Sequence, residues 1–222
     1  MFRSLITTLF ALGLASGAYA DSIDINKVNG RIELDAGETA GKLSTVNGSI
    51  SVSENARATQ LSTVNGSVDL GSNASVQSVS TVNGHVALAE RARVEGSVDA
   101  VNGAISVSRG AVAGGHVGNV NGSIRVDGGE VGGGIETVNG DILIAADSHV
   151  RGGIVVGKSD GWFDWIKGLF GAQSKPRIVI GPNAVVEGEL QFRREVQLFV
   201  SDSARIGPVK GAVAQTFSGA NP

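Results

Sequence analysis

Apolar and polar residues alternate over short stretches of this chain, and the same stretch returns at a nearly fixed interval. The triplet Val-Asn-Gly occurs seven times, with spacings of 18, 18, 18, 19, 19 and 18 residues. The triplets start at Val28, Val46, Val64, Val82, Val101, Val120 and Val138. After each triplet, apolar residues stand at every second position, as at Ile50 and Val52. Alternation of period two is typical of β-strands, because successive side chains point to opposite faces.

The short period predicts a solenoid. A unit of 18 residues has too few side chains for a core of its own, so each unit must stack on the next. Apolar residues also recur at every sixth position, as at Val46, Val52, Ala58, Val64 and Leu70. Three such hexads make one coil, which predicts an all-β, single-stranded parallel β-helix of about nine triangular coils of 18 to 19 residues. The two spacings of 19 predict one-residue bulges beside Gly96 and Gly114.

The alternation also predicts which side chains face inward. On this interpretation, Val46, Ile50 and Val52 and their equivalents line the core, whereas the intervening polar residues face outward (Asn47, Ser49, Ser51, Asn65, Ser67 and Asp69). The asparagines of the triplets are predicted to stack as a structural ladder of amides: Asn29, Asn47, Asn65, Asn83, Asn102, Asn121 and Asn139. Thr45, Thr63, Thr81 and Thr137 would add a flat outer Thr-x-Asn surface suited to ordering water or binding a sugar chain.

Composition narrows the classes of protein that fit. Glycine accounts for 33 of 222 residues, which suits a chain that turns a corner every few residues. The hydrophobic share of 41% and the formal net charge of −3 argue against a disordered chain and against a nucleic-acid-binding protein. There is no cysteine, so no disulfide framework supports the fold. Stability must come from the stacking of the coils.

The first 20 residues read as an export signal. One positive charge at Arg3 precedes a mostly apolar stretch, and Ala18-Tyr19-Ala20 fits the small-x-small cleavage rule before Asp21. We therefore expect an exported protein, with the periplasm as the favoured location and the cell surface as the alternative. The predicted organisation is a signal peptide at 1–20, a β-solenoid at 21–211 with an insertion at 158–175, and a polar C-terminal tail at 212–222.

The insertion carries four of the aromatic residues. Trp162, Trp165, Ile166, Leu169 and Phe170 follow the spacing of one helical face, which predicts a short amphipathic helix. Together with Phe163, these residues form a candidate interaction segment. Two roles stay open, because the apolar face is suited either to shielding the flank of the solenoid or to contacting an envelope protein, a glycan or a membrane surface.

Candidate chemistry is sparse. His85, His116 and His149 lie at different phases of the repeat, so they are not expected to share one face. Asp69, Asp99, Asp127 and Asp141 also shift in phase. No catalytic residue, metal site or cofactor site is therefore expected, because such a site needs clustered ligands or paired acids.

Two stretches resemble known families. The run Ile178-Val179-Ile180-Gly181-Pro182-Asn183-Ala184-Val185-Val186-Glu187-Gly188 and the steps of the type Val94-Glu95-Gly96-Ser97-Val98 resemble bactofilins. The Val-Asn-Gly half is similar to exported adhesin repeats. The bactofilin resemblance implies a right-handed parallel β-helix that polymerises end to end without nucleotide. The hexad rhythm also resembles left-handed hexapeptide transferases, so the hand of the helix stays open.

These observations predict an exported, non-catalytic β-solenoid that acts as a structural scaffold or interaction element of the cell envelope. Its expected partners are further copies of itself, bound end to end, and an envelope protein, glycan or membrane surface bound by the aromatic insertion. No nucleic-acid partner is expected. The alternative functions are an adhesin or glycan-binding surface protein and, less favoured, a polysaccharide-active enzyme.

Overall fold

The computed structural model describes residues 23–157 and 175–222, and within these ranges it contains 26 β-strands and no helix. The strands of the first half are β1 (Ile25–Asn29), β2 (Ile32–Leu34), β3 (Lys42–Asn47), β4 (Ile50–Val52), β5 (Arg57–Asn65), β6 (Val68–Leu70), β7 (Ser75–Asn83), β8 (Val86–Leu88), β9 (Arg93–Val94), β10 (Val98–Asn102), β11 (Ile105–Val107), β12 (Val112–Ala113) and β13 (Val117–Asn121). Those of the second half are β14 (Ile124–Val126), β15 (Glu130–Val131), β16 (Ile135–Thr137), β17 (Ile142–Ile144), β18 (His149–Val150), β19 (Ile154–Val156), β20 (Arg177–Ile180), β21 (Val185–Val186), β22 (Leu190–Phe192), β23 (Gln197–Ser201), β24 (Arg205–Ile206), β25 (Val209–Lys210) and β26 (Ala214–Phe217).

The strands form a parallel β-solenoid. One sheet has ten strands in the order β2-β4-β6-β8-β11-β14-β17-β20-β23-β26, so the chain makes about ten turns. We call this sheet the first wall. The other sheet has sixteen strands and contains two walls: short strands such as β9 make the second wall, and strands such as β10 make the third wall. In two early coils, β5 and β7 run through both of these walls.

The core is a stack of small apolar side chains. Ile50, Val68 and Val86 are paired in successive coils of the first wall, and each of them is fully buried. The predicted stacking of these three residues is therefore confirmed. On the second wall, Val76 and Val94 continue an equivalent buried column. Because each inward position repeats from coil to coil, burial of apolar area extends along the whole axis.

The prediction that the triplet valines line the core is wrong for the first four repeats. Their side chains lie on the outer face of the third wall, with Val28 66% exposed and Val46, Val64 and Val82 37 to 40% exposed. The Asn-Gly corner separates each of these valines from the next strand. The alternation of inward and outward positions does not continue across a corner, because the turn changes which face of the strand points inward.

The threonines occupy the opposite face from the one predicted. Thr45, Thr63, Thr81 and Thr137 are 1 to 4% exposed and point into the solenoid, so the predicted outer Thr-x-Asn surface is wrong. Their hydroxyls form hydrogen bonds at the Asn-Gly corner. Thr63 Oγ1 donates to the carbonyl oxygen of Gly48 at 2.9 Å, and Thr81 Oγ1 donates to that of Gly66 at 3.0 Å. Internal hydrogen bonding removes the cost of burying these polar atoms.

Two of the corners show why the chain uses so much glycine. At the Asn-Gly corner, a Cβ on Gly66 would overlap the carbonyl oxygen of Gly48 in the preceding coil. The corner between the first and second walls holds a residue with positive φ in successive coils, filled by glycine, asparagine, aspartate or, once, by Arg91 at φ 58°. The extra residue of the first 19-residue spacing lies at the corner between the second and third walls. Val94 pairs with Val76 and Val98 pairs with Val79, so this corner is one residue longer in the later coil.

Two regions of the predicted organisation lie outside the described residues, and the predicted tail contains a strand. The predicted signal peptide at 1–20 lies outside the described residues. The aromatic insertion also lies outside them, and the described chain leaves the third wall at Gly157 and resumes at Lys175 before the first wall. The strand β26 falls within the predicted polar tail and pairs with β23, so the parallel ladder extends beyond residue 211.

Candidate functional site

The asparagine ladder runs along the corner between the third and first walls. Each Nδ2 donates to the Oδ1 of the asparagine one coil earlier, at 2.9 to 3.1 Å, from Asn47 to Asn139. At the C-terminal end, the guanidinium of Arg194 donates to Asn139 Oδ1 and to the carbonyl oxygen of Val138. The seven amides are thus used mainly to hold neighbouring coils together.

Each of the three histidines contacts a carboxylate of a neighbouring coil. His85 Nε2 lies 3.1 Å from Asp69 Oδ1, His116 Nε2 lies 3.0 Å from Asp99 Oδ1, and His149 Nε2 lies 2.7 Å from Glu187 Oε1. The partners are 16, 17 and 38 residues apart in the sequence. The histidines do not share a face, but each one links two coils. The other two candidate acids also have partners, since Asp127 binds Arg125 and Asp141 accepts the backbone N–H of Arg177.

The His116 pair is the most shielded of the three. The side chain of Asp99 is 8% exposed and accepts a second hydrogen bond from Ser97 Oγ at 2.8 Å. The hydrogen bond to Asp99 raises the pKa of His116 above its ordinary value of 6.5, burial opposes this, and the charges of Asp99 and Glu136 add to the rise. The protonated imidazole is therefore favoured in the folded protein.

His85 also accepts or donates a second hydrogen bond. Its Nδ1 lies 2.8 Å from Ser67 Oγ, so the imidazole lies between a hydroxyl and the carboxylate of Asp69. The imidazole and the carboxylate are 55% and 41% exposed on the outer side of the first wall. The backbone N–H of Ser67 is directed at Ser49 Oγ. This arrangement links neighbouring coils through hydrogen bonds of side chains and backbone.

Two open grooves run along the second wall. The basic groove, in early coils, has a volume of about 900 Å³ and is lined by Asn55, Arg57, Ala58, Asn73, Ser75, Val76, Gln77, Arg91, Arg93 and Glu95. The mixed groove, in late coils, has a volume of about 600 Å³ and is lined by Asp147, Ser148, His149, Asn183, Val185, Val186, Glu187, Arg205, Ile206 and Gly207. Three arginines face one carboxylate in the first groove, whereas carboxylates outnumber arginine in the second.

Register explains how these side chains come together. Arg57, Ser75 and Arg93 occupy one outward column, and the same column continues to His149, Val185 and Arg205. Sequence reasoning missed both grooves and the histidine pairs. Finding them requires the length of each corner, since residues of one column are separated by 18, 19, 20 or 36 positions.

Two kinds of feature are absent from the described residues, and the predicted aromatic segment lies outside them. Within 23–157 and 175–222, no group of three or more His, Asp or Glu side chains is arranged to hold a metal ion. The same ranges contain no helix with the length and apolar character of a membrane span. Trp162, Phe163, Trp165, Ile166, Leu169 and Phe170 lie outside the described residues, so their role in an interaction stays a prediction.

Comparison with protein-family models, with curated proteins and with solved structures finds no match for this chain.

Proposed function

We propose that this protein is an exported, non-catalytic scaffold of the cell envelope, built as a right-handed solenoid that associates end to end as bactofilins do. The support comes from the outer strands of the sheets. β2 and β26 lie at the two edges of the first wall, and β1, β24 and β25 lie at the edges of the other sheet. Among the described residues, each of these strands has a sheet neighbour on one side.

An unpaired strand edge favours association with another chain. Its free N–H and C=O groups can continue the ladder into a second molecule. Apolar side chains are exposed at both ends, since Ile23 is 73%, Val28 is 66% and Val213 is 87% exposed. Covering these side chains would add apolar burial to the backbone pairing.

Charge favours a head-to-tail arrangement. The first described coil, residues 23–41, carries Asp24, Glu33, Asp35 and Glu38 against Lys27 and Arg31. The last coil, residues 202–222, carries Arg205 and Lys210 against Asp202. The ionisable side chains of these two coils therefore sum to opposite net charge. A heterologous contact between them would repeat without closing and would produce a filament.

The test is sedimentation velocity of the chain 21–222 over a range of concentrations. We expect reversible growth of oligomers that weakens with added salt, because the end charges are screened. Val213→Asp should remove this growth, whereas Val46→Asp, on the side of the rod, should leave it unchanged. Monomers at every concentration would contradict the scaffold function, and sensitivity to Val46→Asp alone would indicate side-to-side contact instead.

A glycan-binding role is the second candidate. The observation that favours it is the basic groove, which lies on the side of the rod in early coils.

A further inference from the structure

The basic groove contains arginines that the carboxylates of the described residues neutralise only in small part. Neither Arg57 nor Arg93 forms an ion pair with a described residue, and Arg91 makes only a long contact of 3.7 Å to the exposed Glu90. Glu95 is the one carboxylate in the lining. Exposed arginines that gather around a groove in a chain of net charge −3 create a local positive potential. A ligand that balances this potential must be an anion.

The arginines are arranged along the axis of the rod. Arg57 and Arg93 are in the same outward column, two coils apart, with Ser75 between them. At about 4.8 Å for each coil, the two arginine positions are separated by about 10 Å. The groove has a volume of about 900 Å³, and both positions are part of its lining. The groove therefore fits an extended ligand with several anionic groups.

Arg91 is held in place at a backbone cost. Its φ of 58° lies in the left-handed region, which is unfavourable for an arginine and which most other coils fill with glycine or asparagine. Its Nε donates to Asn73 Oδ1 at 2.9 Å. A Cβ on Gly110 in the next coil would lie 3.3 Å from Arg91 Cγ, so that glycine leaves room for the side chain. A strained residue with positioned neighbours is a signature of functional sites.

The remaining lining groups indicate what the anionic ligand carries. Asn55, Asn73 and Gln77 offer amides, and Ser75 offers a hydroxyl, all suited to bonding with sugar hydroxyls. Among the described residues, the lining includes no aromatic side chain on which a nucleic-acid base could stack. Its apolar members, Ala58 and Val76, are at most 7% exposed and offer no surface for an acyl chain.

We propose that the basic groove binds an extended acidic polysaccharide, with Arg57, Arg91 and Arg93 pairing with its carboxylates and the flanking amides bonding to its hydroxyls. Arginine suits this role because its planar fork pairs with a carboxylate through two parallel hydrogen bonds. This site is independent of end-to-end association, so failure of one proposal leaves the other intact.

The test measures binding of fluorescently labelled alginate, a linear polyuronate, to the chain 21–222 at dilutions where it is monomeric. The double variant Arg57→Gln/Arg93→Gln should weaken binding at least about tenfold and flatten its salt dependence. Arg205→Gln is the matched control, because Arg205 lies in the same column but in the mixed groove. This variant should bind alginate as tightly as the native chain does. Circular dichroism of each variant confirms that the solenoid is folded.

Three further probes complete the test. Neutral dextran should not bind, because it has no carboxylate. Equal affinity for alginate in the double variant and the native chain would overturn the proposal, and so would equal affinity for dextran. Tighter binding of a single-stranded oligonucleotide or of phosphatidylglycerol vesicles, lost in the same double variant, would overturn the assignment to a polysaccharide.

Discussion

The two grooves of the second wall have the same backbone and opposite electrical character. Arg57, Ser75 and Arg93 in the basic groove correspond, position for position, to His149, Val185 and Arg205 in the mixed groove. Below each groove runs the same buried column, represented by Val76 in one and Val186 in the other. The outward side chains differ while the inward ones hardly change.

This difference separates two roles of the sequence. Inward positions are constrained by stacking, since any change of volume or polarity there is felt by the adjacent coils. Outward positions are free to vary, so each coil can carry its own chemistry at a fixed location. We therefore expect different effects from substitutions in the buried column that both grooves share and from substitutions of the side chains that face the grooves.

The largest effect on stability is expected in the buried column that both grooves share. Val76→Asp and Val186→Asp would each bury an unpaired charge and should lower the free energy of unfolding by about 4 kcal/mol. Ser75→Asp and Val185→Asp, one residue away and facing outward, should cost far less. Urea unfolding measures all four. A mild effect of Val76→Asp alongside a severe effect of Val186→Asp would show that the two grooves do not share one frame.

The next prediction transfers the chemistry of one groove to the other. His149→Arg, Val185→Ser and Glu187→Gln together recreate the Arg-Ser-Arg column and the neighbouring glutamine in the late coils. This triple variant, made in the background of Arg57→Gln/Arg93→Gln, should regain alginate binding at least about tenfold over that background. No gain would mean that the column alone does not recognise the polyanion and that Arg91 is essential.

A smaller effect concerns backbone strain in the two grooves. Arg91→Asn should raise stability by about 0.5 to 1 kcal/mol, because asparagine tolerates positive φ better than arginine does. Alginate binding should weaken at the same time. Asn183→Arg, at φ 56° in the mixed groove, is the mirror change and should destabilise by a similar amount. Thermal unfolding of both variants tests this, and a loss of stability in Arg91→Asn would contradict the strain argument.

The smallest expected effect is a pH dependence of stability. It arises from His116, which lies in the coils between the two grooves. Because the pKa of His116 is raised in the folded state, its protonated form stabilises the fold. This contribution is fully present below the unfolded pKa of about 6.5 and is lost as the pH rises through the higher folded pKa. Because the His116 side chain is 41% exposed, the effect is screened, and we expect the Tm to fall by about 2 °C between about pH 6 and about pH 8. His116→Gln should abolish that part of the pH dependence, and an unchanged profile would refute it.

The sequence predicts the solenoid and its stacked core better than it predicts the two grooves. Repeat length and alternation are local properties, so the solenoid and the stacking of Ile50, Val68 and Val86 follow from them directly. The orientation of Val46 and Thr63 does not, because it depends on how the Asn-Gly corner turns. The grooves depend on register summed over many coils. An insertion between Val150 and Val186 leaves these neighbours 36 residues apart, which no period reveals.

The asparagine ladder allows the rod to lengthen by whole repeat units. Its amides all donate in one direction, so an additional Val-Asn-Gly unit between Asn102 and Asn139 would find a donor on one side and an acceptor on the other, and Arg194 would still close the far end. Duplication of one unit would thus move the two grooves apart by a single step of about 4.8 Å without reshaping either of them. The number of repeat units between the two grooves thus sets the distance between them.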